Sequence, residues 1–291
     1  MLKWFLDYER FAHEKSFDMA RHSSIGCGGV AQIAFCPQSV AELTALLDKL
    51  RADNIKYHVL GNMTNVLPPD KGTENAIIRM KNLNGIVIKD GAFVYAGVTA
   101  ATLLRTAKHC GKSGAEFLNG VPCTLGGALF MNAGAGGKYI SEIVENVLVY
   151  RAGRTALIPV AQCDYAYKHS VFMENGDVII GGTLRLQDAD EKNIEEREAY
   201  YAQRRAHLPK GRSMGCVFKN PECGTAGDFI ERSGLKGLRI GGAVVSTAHA
   251  NFIINENNAS ASDIRSLITI IKNAVFAQYG VKLEEEIRYL D

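Results

Sequence analysis

Net charge is scarce in this sequence and is not segregated: 33 lysines and arginines stand against 31 aspartates and glutamates, leaving +2 at neutral pH. The two signs interleave along the chain, so it lacks the broad cationic face that binding to a phosphate backbone requires, and nucleic acid is not an expected partner. Long apolar runs are missing as well. The opening stretch MLKWFLDYERFAHEKSFDMARH carries charges in every turn and has no signal-peptide core, and no later run is long enough to span a bilayer. The cysteines, at Cys27, Cys36, Cys110, Cys123, Cys163, Cys216 and Cys223, are odd in number and irregularly spaced. Without a paired CxxC they suit reduced thiols in a cytoplasmic protein rather than a disulfide framework, a redox dithiol or a metal site. No GxGxxG follows a strand and no GxxxxGK[ST] loop occurs, which argues against Rossmann and P-loop nucleotide sites. Repeats and low-complexity tracts are absent.

What is present is an ordinary globular composition, 47% hydrophobic and 22% charged over 291 residues, enough for two or three packed units. Ser39 and Glu42 have capping-box spacing ahead of Leu43, Leu46, Leu47 and Leu50 on one helical face. YHVLG and AIIRM read as short strands, and GIVIKDGAFVYAG as two strands joined at Asp90 and Gly91. A helix in TAATLLRTAKHC stops at Gly111. Strands resume in ENVLVYRAGRTALIPV and DVIIGGTLRLQ, and the polar, helix-prone EKNIEEREAYYAQRRAH marks a domain boundary. In the last third, short strands in GCVFKN, GAVVST and ANFIIN surround a helix in FIERSG. A terminal helix starts near Ser262, shows Ile264, Leu267, Ile268, Ile271 and Val275 on one face, and ends at Gly280; KLEEEIRYLD follows as a last strand. The mixture defines an α+β class.

Eight of the 29 glycines fall between Gly111 and Gly137, more than one helix or strand tolerates, so the backbone there turns tightly or approaches something closely. Two loops, Gly61 to Asp70 and Gly120 to Ala135, can together supply backbone N–H groups to a pyrophosphate. Backbone packing alone explains either loop taken singly.

The order and wording of the motifs from about His22 to Tyr289 resemble the UDP-N-acetylenolpyruvoylglucosamine reductases, in the shorter form of that family. The likeness rests on HSSIGCGGVA, GNMTNVL, EFLNGVPCTLGGALFMNAGA, YKHSVF, GCVFKNP, AGDFIERSGLKGLRIGGAVVS, HANFIIN and GVKLEEEIR. The resemblance implies a flavin-binding module of the vanillyl-alcohol-oxidase (PCMH) type over residues 1–190, in two subdomains of about 1–77 and 78–190, followed by a substrate-binding domain over 191–291. It implies a hydride passing from NADPH to FAD and on to C3 of an enolpyruvyl sugar nucleotide, with the residue at 216 protonating C2, in a protein expected to act as a monomer. FAD would be held by Gly61, Asn62, Met63, Thr64, Asn65, Gly120, Pro122, Thr124, Gly126, Gly127, Asn132 and Ala133, and substrate by Tyr167, Lys219, Asn220 and His249.

Such a reaction needs a hydride donor, a positive or hydrogen-bonding group at the substrate carboxylate, and a weak acid. By resemblance these last roles fall to Lys168, Glu286 and Cys216. A cysteine thiol, with an ordinary pKa of about 8.5, gives up a proton more readily than the serine hydroxyl found in most relatives. Taken alone, Cys216 reads as a small buried strand residue, Glu286 as part of a solvated charge run, and His249 as a structural histidine. The chain departs from the family pattern at Lys168, where arginine is usual and a bidentate fork is lost. It departs also at Asn62 and Met63, where two glycines are usual, at Gly26, where arginine is common, and at Cys123, where glycine is usual. Two further readings stay open at this point: a related flavoenzyme with a different acceptor, and a non-catalytic regulatory protein that binds a sugar nucleotide.

Overall fold

In a computed structural model of the chain, residues 7–89 and 91–290 are described. Contacts divide them into two compact units, one built from residues up to 14, 34–62 and 75–206, the other from 15–33, 63–74 and 207 onward.

In the first unit, the Ser39 hydroxyl accepts from Glu42 N at 3.1 Å and starts the helix Val40–Ala52. Glu42 does not return the bond as the spacing predicts. Its carboxylate accepts instead from Ala12 N and Gln38 N, both at 2.8 Å, and ties the helix start to the preceding chain. Leu43, Leu46, Leu47 and Leu50 are fully buried. This helix is the crossover that lets strands Val30–Phe35 and Tyr57–Leu60 both pair in parallel with Ala76–Arg79. The edge strand His13–Asp18 follows Val30–Phe35 in the sheet order, and residues 15–18 and 30–33 of these two strands are counted with the second unit. A second, antiparallel sheet has the order Arg154–Pro159, Val144–Arg151, Val178–Leu184, Ala92–Tyr95, Ile86–Ile88. Its last two strands are those expected around Gly91, while Asp90 lies outside the described residues. Helix Ala100–His109 ends on Cys110, and Gly111 follows at φ +62°.

The glycine-dense stretch departs from expectation, because it contains a helix, Leu125–Met131, with Gly126 and Gly127 in its first turn. Two glycines cost helix propensity, yet Leu125 N donates to Val98 O at 2.8 Å and Gly126 N to Ala96 O at 2.9 Å, so tertiary hydrogen bonds override the local preference. The polar helix Glu191–Arg205 buries only Ile194. It nevertheless groups with the residues before it: Arg197 reaches Ser113 at 3.0 Å, Asn119 reaches Glu198 O at 2.9 Å, and Lys108 reaches Glu195 at 2.8 Å. The division by contact therefore falls at 206–207 and not at 190–191, and the second unit also takes in two earlier segments.

The second unit is organised by the helix Ala261–Tyr279. Ser260 and Asp263 form a reciprocal capping box, and the Asp70 carboxylate accepts from Ala261 N at 2.7 Å and Ser262 N at 2.9 Å, placing negative charge at the helix start. Gly280 closes the helix at φ +67°. The expected face of Ile264, Leu267, Ile268, Ile271 and Val275 is buried, in a core shared with Val217, Phe218, Ile230, Val245, Ile253 and Ile287. Strands Arg239–Ile240, Ala243–Val245 and Ile253–Asn255 form an antiparallel sheet, and Arg288–Tyr289 pairs in parallel with Val66–Leu67. Among the described residues no helix is long and apolar enough to cross a membrane.

Neighbouring residues on opposite faces of the terminal helix test this packing. Ile271→Ala removes a side chain with no exposed surface and should cost about 2–5 kcal/mol. Ile270→Ala, at a 37% exposed position, should stay within about 0.5 kcal/mol, both read from urea unfolding midpoints.

Candidate active site

The two glycine-rich loops meet. A side chain on Gly61 would run into the Thr124 hydroxyl, and the Asn62 amide donates to Pro122 O at 3.4 Å, so residues 61–62 lie directly on residues 122–124. Only glycine permits that approach at position 61, and the result is the two-loop arrangement a pyrophosphate cradle needs. Within it the expected residues divide by what they have left to offer. Gly61, Asn62, Gly120 and Pro122 are exposed. Thr124 is buried and caps the helix Leu125–Met131, accepting from Gly127 N at 3.4 Å. The Gly126 N–H is already donated, and its lack of a side chain lets the backbone pass Ala96. Ala133 has both main-chain groups engaged, to Ala128 O at 2.8 Å and from Ile140 N at 2.9 Å. Asn132 uses both ends of its side-chain amide in the fold, donating to Ala166 O at 2.8 Å and accepting from Ser141 N at 3.3 Å. Burial pushes the Cys123 thiol in this loop up to about 11, against the pull of the Arg205 guanidinium, so it stands there as a neutral thiol.

The Asn132 contact fixes the turn that carries two other expected residues. Ala166 and His169 bridge one another, and between them Tyr167 is exposed while Lys168 sits at φ +54°. Ser170 anchors the far side through Phe130 O at 2.6 Å. A left-handed lysine is uncommon, and here the bridge and the two anchors hold it.

In the second unit, Met63 keeps the left-handed backbone, φ +51°, that glycine would adopt at this position without strain. Its carbonyl accepts from Ser24 N at 3.3 Å, and its side chain is 4% exposed. Thr64 and Asn65 are half-buried. Asn65 Nδ2 donates to Glu286 O at 3.0 Å and Asn65 O accepts from Arg288 N at 2.9 Å, which joins the end of the first loop to the segment carrying the expected catalytic glutamate; of the strand expected over KLEEEIRYLD only Arg288–Tyr289 forms, and Glu286 precedes it. At Gly26, where relatives commonly have arginine, a guanidinium is present all the same: a Cβ there would lie 2.6 Å from Arg212 Cδ and 3.0 Å from its Nη1.

Cys216 is half-buried, packed against Val244, Phe252 and Ile254 with Leu208 alongside. Gly215 before it has φ +77° and open space where a Cβ would be. The segment GCVFKN forms isolated bridges, Cys216 to Phe252 and Phe218 to Glu285, in place of the expected strand. Its main chain is held on one edge by Lys219 N to Glu284 O and Glu286 N to Val217 O, both at 2.8 Å. On the other it is held by Asn251, which lies in the HANFIIN motif but has no expected role there. Cys216 and Glu286 are thus brought onto adjacent backbone segments.

The three glutamates have different fates. Glu284 is exposed and pairs with Lys219 at 3.3 Å; Glu286 is half-buried. Burial raises the Glu285 carboxyl, but Lys272 and Tyr289, each at 2.6 Å, outweigh it and hold the group below the usual range. Asn220 Oδ1 accepts from Ala226 N at 3.0 Å and caps the short helix Ala226–Arg232. His249 stacks on His207 at 6.4 Å and meets the edge of Phe252 at 5.0 Å. Burial and then His207 lower its pKa, with Lys236 adding to the effect and Asp228 opposing it. What could have drawn attention to Asn251 is composition: asparagine is depleted in strands, yet it flanks both ends of the apolar NFIIN.

Comparison with known proteins fits this geometry. Residues 31–153 match the family described as FAD binding domain, and residues 206–290 match UDP-N-acetylenolpyruvoylglucosamine reductase, C-terminal domain. The class so defined is an α+β flavoprotein reductase with an FAD-binding module ahead of a C-terminal domain. UDP-N-acetylenolpyruvoylglucosamine reductases from Geobacter metallireducens and Desulfosudis oleivorans are 40% and 38% identical to the chain, covering 93% and 92% of it and 91% of each relative. A crystal structure of the Thermus caldophilus reductase (MurB) matches with TM-score 0.83 at 30% identity, over 97% of this chain and 99% of that one. The chain belongs to the UDP-N-acetylenolpyruvoylglucosamine reductase family. Of the readings the sequence left open, this is the one the comparisons support.

Two measurements check the site's construction. A left-handed methionine costs about 1–2 kcal/mol, whereas deleting a buried methionine side chain costs about 2–5 kcal/mol, so packing wins. Met63→Gly, though it restores the family residue, should destabilise the protein by about 1–3 kcal/mol in urea unfolding. For His249, the unfolded chain protonates near the ordinary value of 6.5 and the folded chain only at lower pH, so the unfolded state binds more protons and stability is lost on acidification. His249→Gln should therefore show a smaller fall in Tm than wild type between about pH 7.5 and about pH 5.5. Parallel falls would remove His249 as the source.

Proposed function

We propose that the chain catalyses the NADPH-linked, FAD-dependent reduction of UDP-N-acetylglucosamine enolpyruvate to UDP-N-acetylmuramate, a step of peptidoglycan and hence cell-wall synthesis, acting as a cytoplasmic monomer. The observation that supports the reading is the pairing of the Cys216–Lys219 backbone with Glu284–Glu286, which sets the segment carrying the thiol beside the segment carrying the carboxyl.

The two touching loops, through Gly61, Asn62, Gly120 and Pro122 and the main chain of Met63, Thr64 and Asn65, are suited to hold the cofactor's pyrophosphate. FAD, when bound and reduced by NADPH, supplies the hydride for C3 of the enolpyruvyl group. Cys216 then delivers its proton to C2, for which a thiol is a competent acid at neutral pH. Lys168 and Glu286 serve the substrate carboxylate, the lysine as a point charge and the glutamate as a hydrogen-bonding partner to the charge that develops there. Lys219, Asn220, His249 and Tyr167 serve substrate binding. Asn220 also holds the start of helix Ala226–Arg232, and Lys219 would exchange its exposed partner Glu284 for substrate.

Replacing the acid separates the two half-reactions. In Cys216→Ala, anaerobic reduction of bound flavin by NADPH should persist while its reoxidation by UDP-N-acetylglucosamine enolpyruvate slows by about 10²–10⁴-fold. Cys216→Ser should retain turnover. Reoxidation of the alanine variant at the wild-type rate would take Cys216 out of the chemistry.

A further inference from the structure

The backbone that carries Cys216 is held by a residue that has no part in the reaction as so far described. Asn251 is 3% exposed, and its side-chain amide faces Phe218: Phe218 N donates to Oδ1 at 2.9 Å and Nδ2 donates to Phe218 O at 2.8 Å. Its own carbonyl accepts from Val217 N at 2.8 Å. An asparagine amide offers a donor and an acceptor from one planar group, as a strand neighbour's peptide would, and so satisfies both main-chain groups of Phe218 where a regular strand is missing. The opposite edge of the same segment is bonded to Glu284 and Glu286. Cys216 to Lys219 is therefore gripped from two sides, and the Asn251 side sets how far it sits toward the Glu284–Glu286 segment.

We propose that Asn251 is a positioning residue for the proton-donating step: its buried amide fixes the placement of Cys216 relative to Glu286. The proposal rests on the reading of Cys216 as the acid. Asn251 has almost no surface to offer a ligand and acts through the 216–218 backbone. A shift of the order of 1 Å at an acid is enough to cost about 100-fold in rate.

The test follows the two half-reactions in Asn251→Ala, Asn251→Asp and Cys216→Ala holoenzymes. Asn251→Ala should reduce its flavin with NADPH within about twofold of wild type and pass the hydride to the enolpyruvyl substrate about 10–100-fold more slowly. In Asn251→Asp the carboxylate keeps the acceptor for Phe218 N but opposes Phe218 O. Burial raises the pKa of such a group, and only the protonated acid reproduces the amide's donor. Its deficit against wild type should therefore narrow between about pH 8 and about pH 6, a rescue that a merely space-filling role would not give. The proposal is overturned if Asn251→Ala reoxidises normally, if both half-reactions fall together, or if the aspartate variant's deficit is the same at both pH values. Where the alanine variant fails to fold, the aspartate profile carries the test. Normal reoxidation in Cys216→Ala would instead overturn the acid assignment itself, and a slow Cys216→Ala beside a normal Asn251→Ala removes Asn251 alone.

Discussion

A short backbone segment outside any ladder, Cys216 to Lys219, is held in place by hydrogen bonds that come from far along the chain. Asn251 supplies one edge and Glu284 to Glu286 the other. The buried Val217 and Phe218 lock the segment into the core made with the terminal helix, while the thiol between Gly215 and Val217 stays partly open. The neighbouring contacts extend this grip. Lys272 and Tyr289 hold Glu285, Arg265 lies 4.0 Å over the Tyr289 ring, and Asn65 bonds the carbonyl of Glu286. On the proposed role of Cys216 as proton donor, fixing the main chain is what these side-chain hydrogen bonds achieve.

The two glycine-rich loops rely on the opposite device, the removal of side chains. Gly61 has none, which lets the first loop touch Thr124 of the second, and Gly126 passes Ala96 for the same reason. Where the chain departs from its relatives, the structure compensates locally. Met63 takes up the left-handed backbone and is retained by its burial, and Arg212 brings a guanidinium over Gly26 from a distant point in the sequence. Lys168 is held in its turn by Asn132 and Ser170.

Much of this was legible in the sequence because it is local. Ser39, Ser260 and Gly280 mark helix ends through hydrogen bonds to residues within one turn, and the five-residue apolar face of the terminal helix follows its period. The motif order pointed to the family. What escaped was non-local. Helix Leu125–Met131 persists in a glycine-rich stretch because Val98 and Ala96 accept its first N–H groups. GCVFKN is not a regular strand because an asparagine side chain takes a strand's place. Helix Glu191–Arg205 reads as the start of the C-terminal domain by its polar, helix-prone composition, yet Ser113, Asn119 and Lys108 bind it to the first unit. None of these partners can be inferred from spacing.

The most direct measurement of the whole account is an anaerobic titration of the FAD-loaded, NADPH-reduced protein with UDP-N-acetylglucosamine enolpyruvate, followed by flavin absorbance. The account predicts that one equivalent of substrate restores the oxidised flavin spectrum and that UDP-N-acetylmuramate is formed. Flavin that stays reduced in the presence of excess substrate would contradict it.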